Sequence, residues 1–94
     1  MIKISSRDFE ITEAIRAEIE GMEPSLYRHI GEDHRISVTL SKEAPDVFKV
    51  HMQVHYLGED IISDHSSHNF HKALDLCKDH FVKQIDKKRS KVQN

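Results

Sequence analysis

The hydrophobic positions fall into two kinds of spacing along the chain. From Asn69 to about Val92, Phe70, Leu74, Cys77, Phe81 and Ile85 recur at steps of three and four, which places them on one stripe of an α-helix. Asn69 stands at the N-cap position, where its side-chain oxygen can accept from a first-turn N–H. Neither Gly nor Pro interrupts the run, so one continuous helix is expected from residue 70 to about 88. Nearer the N-terminus, Ile11, Ile15, Ile19, Met22 and Leu26 also keep a helical spacing, with Thr12 as N-cap and Glu13 in the positive first turn. Gly21 and Pro24 disturb that pattern. Proline removes a backbone donor and crowds the carbonyl four residues back, so a kink or restart is expected there. Gly31 is placed to end the helix.

The other segments alternate. Ile2-Lys3-Ile4-Ser5 is a short strand, and Arg35 to Ser41 points Ile36, Val38 and Leu40 one way. Residues 41–46 are expected to form a connecting loop. Phe48 to Leu57 then turns Phe48, Val50, Met52, Val54 and Tyr56 inward and Lys49, His51, Gln53 and His55 outward. A turn at Leu57-Gly58-Glu59-Asp60 leads to a fourth strand, Ile61 to about Ser67. The order βαβββα predicts an α+β two-layer sandwich: a four-stranded mixed sheet, two helices on one face, the other face wet. The first crossover makes its two strands parallel if they are neighbours. The 94 residues read as a single domain over 1–94, with a basic C-terminal tail from about residue 88.

Composition sharpens this in one respect. A hydrophobic share of 37% and a charged share of 32% describe a globular chain. The single cysteine, Cys77, excludes an intrachain disulfide and lies on the apolar stripe, where a reduced thiol behaves as a small hydrophobe. No run approaches a membrane span, and the N-terminus lacks the apolar region of a secretion signal; a cytoplasmic location is expected. The net charge of −2 argues against nucleic acid, but its distribution does not. Residues 69–94 carry seven Lys/Arg against three Asp/Glu, whereas the preceding 68 carry seven against thirteen. Such asymmetry suggests a basic working surface on an acidic body. A helix macrodipole favours cations in the last turns, but it does not account for Lys72 in the first.

Lys72, Lys83 and Lys87 lie opposite the apolar stripe, with Leu76 and His80 beside them. The helix then runs into Lys88, Arg89 and Lys91. These six cations could track a phosphate backbone by shape and charge without reading bases. The open sheet face is polar but lacks the aromatic pair with which sheet readers stack bases. Among eight histidines, His51 and His55 share a strand face about 13 Å apart at ~3.3 Å per residue, too far for one metal. His65, His68 and His71 lack an obvious completing ligand. Glycine-rich phosphate loops, nucleophile elbows and HExxH pairs are absent from the sequence. The chain reads as a non-enzyme with no cofactor, no metal site and no small-molecule substrate.

The segments ITEAIR (Ile11–Arg16), LSKE (Leu40–Glu43) and FHKALD…KQIDK (Phe70–Lys87), in this order and spacing, resemble the ribosome hibernation-promoting factors, also described as ribosome-associated inhibitors. The resemblance implies a fold similar to double-stranded-RNA-binding domains. It further implies binding to rRNA of the small ribosomal subunit in the tRNA–mRNA channel of idle bacterial ribosomes, in stress or stationary phase, by a short-form protein that is a monomer off the ribosome. By position, Arg16, Lys83 and Lys87 match the family's basic residues, Lys42 matches that of its SKE loop, and Arg89 and Lys91 continue its basic run. The sequence departs from the family in the second half of its first helix. Residues 13–33 hold two Lys/Arg against six Asp/Glu; a protein-binding regulatory module on the same fold is the alternative that this suggests.

Overall fold

A computed structural model describes the backbone of residues 2–92 and the side chains of residues 2–90. Seven elements follow one another: β1 (Ile2–Arg7), α1 (Glu13–Gly21), α2 (Glu23–Ile30), β2 (Ile36–Ala44), β3 (Val47–Tyr56), β4 (Glu59–Ser67) and α3 (Phe70–Val92). The four strands form one mixed sheet in sequence order, β1 parallel to β2 and the other neighbours antiparallel. The helices cover one face. Between the layers lie Ile19 and Leu26 from α1 and α2, Ile36, Val38, Leu40, Val50, Met52 and Val54 from the sheet, and Leu74, Cys77, Phe81 and Ile85 from α3, all buried.

Local chemistry explains the boundaries. Thr12 Oγ1 accepts from the Ile15 N–H at 3.2 Å, and Asn69 Oδ1 accepts from the Lys72 N–H at 3.2 Å, so both expected N-caps are made. The disturbance at Gly21–Pro24 is a restart: α1 ends at Met22, which is also the N-cap of α2. Pro24 lies in the first turn of α2, where its missing N–H has no helical acceptor to lose. Gly31, at φ 90°, returns its N–H to the Tyr27 carbonyl at 2.8 Å and closes α2.

Several boundaries differ from the sequence reading: β1 runs on to Arg7, and Glu59 and Asp60, expected in a turn, pair with Tyr56 and His55 as the start of β4. The stretch expected as a loop over 41–46 is strand through Ala44, with Ser41 opposite Lys49 and Lys42 opposite Phe48. A register shift between Lys42 and Ala44 lets the strand absorb an extra residue and continue. Only Pro45 and Asp46 remain between the strands. The run read as a tail from about 88 is helical through Val92. Partners on neighbouring elements hold it: Lys88 Nζ lies 2.9 Å from Glu59 of β4, and Arg89 Nη1 donates to the His29 carbonyl of α2 at 2.9 Å.

Candidate nucleic-acid interface

α3 is amphipathic as its spacing requires. The stripe Leu74, Cys77, Phe81 and Ile85 is buried, joined by Ala73. Phe70 is half-buried because it closes the edge of the core rather than its centre: it packs against Phe9 and Phe48, with ring centroids 5.8 and 6.2 Å away. On the opposite side Lys72, Lys83 and Lys87 are exposed along one line. Leu76 sits among them, 42% exposed. Lys83 pairs with Asp79 at 3.1 Å, one turn earlier, with 74% of its side chain still accessible. Such a pair is weak in water, so the ammonium remains available to a stronger anion.

The other sequence-predicted cations separate into free and engaged groups. Arg16 is exposed on α1. Lys42 is exposed at the end of β2, its ammonium 5.5 Å from the Phe48 ring centroid, and so stands over the aromatic cluster that anchors the start of α3. Lys88 is turned toward Glu59, with 20% of its side chain accessible. Arg89 bridges two helices: Nη2 donates to Asp86 Oδ1 at 2.9 Å, and His29 Nδ1 lies 3.0 Å from the same carboxylate oxygen. Sequence spacing puts Arg89 in a basic run; the fold makes it a tie between α3 and the end of α2. The side chain of Lys91 lies outside the described residues. Arg16, Lys42, Lys72, Lys83 and Lys87 therefore remain as the accessible part of the predicted set.

Some of the chain's acidic residues gather on α1 and α2. Glu20, Glu23, Pro24, Tyr27, Arg28 and Glu32 line a depression of about 680 Å³ on α1 and α2. Burial, first, and then nearby Glu23 push the Tyr27 hydroxyl above its usual pKa. The histidines are distributed among separate contacts. His29, His51, His55 and His71 each face a carboxylate, those of Asp86, Asp64, Asp60 and Glu18 respectively. His65 and His80 meet each other at 3.4 Å. Among the described residues no three His, Cys, Asp or Glu side chains converge as a metal site.

Cys77 is sealed in the core, its Sγ 3.2 Å from the Ser63 carbonyl oxygen and 3.4 Å from that of Val50. Burial pushes the thiol up to about 11, which leaves it protonated and unreactive at neutral pH. Ser63, the one buried polar residue among those described, answers by donating to the Cys77 carbonyl at 2.9 Å. The sequence reading missed Ser63 and Phe9. Alternation from Ile61 marks Ser63 as inward-facing, whereas Phe9 precedes α1 in a segment with no period to follow.

Over residues 2–93 the chain matches the model of the family described as Sigma 54 modulation protein / S30EA ribosomal protein. Among solved structures it is similar to the N-terminal domain of Thermus thermophilus Protein Y, at 26% identity and a TM-score of 0.79, covering 90% of this chain and 93% of that one. It is also similar to a ribosomal subunit interface protein from Coxiella burnetii, at 22% identity and a TM-score of 0.76, covering 95% and 97%; at that identity the likeness is one of fold. No functionally curated protein matches the chain.

Proposed function

Because the chain belongs to the Sigma 54 modulation protein / S30EA ribosomal protein family, we propose that it binds the ribosome and inhibits translation by occupying the tRNA–mRNA channel of the small subunit. The setting is the cytoplasm of a stressed or stationary-phase cell, where the protein preserves idle ribosomes. The observation that carries this reading is the line of Lys72, Lys83 and Lys87 on the solvent face of a 23-residue helix. Three ammonium groups on one face suit rRNA phosphates, which bind by charge and position rather than by base identity. Arg16 and Lys42 extend the contact from α1 and β2. The mechanism is occlusion. A folded domain in the channel excludes tRNA and mRNA by volume, so it requires no bond making and no cofactor.

Co-sedimentation with bacterial ribosomes at two salt concentrations tests the reading. The wild-type protein is expected to pellet at low salt and to be released as salt rises. Replacing Lys72, Lys83 and Lys87 with Gln should lower the log–log salt slope by about 2, at ~0.7 per lost contact, and leave the fold intact. Wild-type protein that stays in the supernatant at low salt rules the reading out. A second reading, a protein-binding regulatory module, is favoured by the acidic depression on α1 and α2 and by exposed Leu76. It gains ground if ribosomes are not bound.

A further inference from the structure

We propose that the open face of the sheet carries a phosphate seat of its own, formed by Arg7, Ser41 and Lys49, which takes a backbone phosphate of single-stranded RNA. The strand register builds it. Arg7 lies opposite Ser41, Ser41 opposite Lys49, and Lys49 opposite Ser66. One row across all four strands thus alternates cation and hydroxyl. The adjacent residues Leu40 and Val50 are buried beneath the helices, so this row points to the other face, away from α3. At ~4.8 Å between strands, the Arg7 and Lys49 backbones stand about 10 Å apart with Ser41 midway. Side chains of that length can close on an anion held over the serine hydroxyl.

The next row brings up Thr39, hydrogen-bonded to Ser5 at 3.2 Å, and His51. Arg7, Thr39, Ser41, Lys49 and His51 line an open depression of about 330 Å³. Arg7 and Ser41 make no side-chain hydrogen bond or ion pair to any described residue, so their donors are unspent. Two anions face the same ground. Glu43 lies 3.7 Å from Lys49 Nζ, with both groups more than a third exposed, and such a pair holds the ammonium weakly. Asp64 is committed to His51. The seat is therefore one guanidinium fork, one ammonium and one hydroxyl, the donor set that suits a phosphate.

The chemistry of the face selects the backbone of a nucleic acid over its bases. The two rows on its open side hold Lys3, Ser37, Gln53 and Ile62, and Ser5, Thr39, His51 and Asp64, none of them a platform of Phe, Tyr or Trp on which bases stack. Contact here is through phosphate and independent of sequence. The inference rests on the ribosome reading only for the polymer that supplies the phosphate; the seat itself follows from the register.

The test is ¹H–¹⁵N NMR of the whole chain, titrated separately with inorganic phosphate and with a short uridine oligonucleotide. Wild type is compared with Arg7→Gln/Lys49→Gln and with Lys72→Gln/Lys83→Gln/Lys87→Gln. The oligonucleotide is expected to shift the amides of Arg7, Ser41 and Lys49 in wild type and in the helix variant, but not in the sheet variant. The sheet variant should also lose about 1.4 from the log–log salt slope of oligonucleotide binding, at ~0.7 per contact. Phosphate moving the same amides more weakly supports the same site. Phosphate acting there while the oligonucleotide does not makes it a free-phosphate site and overturns the RNA assignment. Shifts confined to α3, or absent from the sheet with both ligands, overturn the seat. Ribosome pelleting is scored separately: a chain that fails to pellet yet gives the sheet shifts loses the ribosome reading and keeps the seat.

Discussion

Leu57 lies at φ 51° and Gly58 at φ 82°, so the two-residue turn between β3 and β4 places both central positions in the left-handed region, as a type I′ turn requires. Glycine accepts this freely, but a leucine does so at roughly 1 kcal/mol. Leu57 is 44% exposed, so it gains only partial burial in return. Leu57→Asn is therefore expected to stabilise the fold by about 1 kcal/mol, raising Tm by roughly 4–8 °C for a domain of this size. An unchanged or lower Tm in a thermal melt means that Leu57 contributes packing that its exposure does not suggest. The turn's position was legible because Gly marked it, but the conformation of Leu57 was not, since nothing in a leucine announces a positive φ. Cys77 gives a second residue-scale prediction. Burial pushes its thiol up to about 11 in the fold, against an ordinary 9.0. Between these values the unfolded chain has released a proton that the folded chain keeps, so stability is undiminished by this group below about pH 9 and falls as pH rises from 9.0 toward about 11. Urea unfolding across it should show a shallower decline for Cys77→Ala than for wild type. Equal declines contradict the assignment.

At the scale of elements, the buried stripe of α3 and the alternation of the strands could be read directly, because burial imposes its period on the side chains. Phe70, Leu74, Cys77, Phe81 and Ile85 are found where that period places them. What joins the flanks of a helix to its neighbours has no such period. His29 pairs with Asp86, and Arg89 reaches the His29 carbonyl, across 57 and 60 residues of chain; these contacts exist because α2 happens to pass beside the last turns of α3. The same fact divides the basic run at the end of α3, which looks uniform in sequence, into structural and accessible cations. Arg89→Gln is expected to cost about 1.5–3 kcal/mol, as for hydrogen bonds to charged groups. Arg89→Lys should recover only part of this, because an ammonium cannot span the carbonyl and the carboxylate as a planar fork does. Chemical denaturation measures both. If Arg89→Gln unfolds at the wild-type midpoint, the tie is incidental and Arg89 returns to the accessible set.

Over the whole molecule, charge is arranged by surface rather than by overall balance. The net −2 combines an accessible cationic line on α3 with an acidic depression on α1 and α2. Which surface dominates an encounter with RNA depends on distance and salt, since exposed charges act over about 8–10 Å at physiological ionic strength. Glu20 and Glu23 both line the depression, but they are not equivalent sites for reversing it. Glu23 opens α2, where the macrodipole favours a carboxylate and a lysine would be opposed; Glu20 lies in the last turn of α1, which has no basic residue and where a cation is favoured. Glu20→Lys therefore makes the chain two charges more positive while suiting its own helix, and Tm is expected to hold or rise slightly. In ribosome co-sedimentation it should bind more tightly than wild type at low salt, with the advantage shrinking as salt screens the depression. Equal pelleting at low salt, with the fold intact, places the depression away from the rRNA and frees that acidic surface for a protein partner.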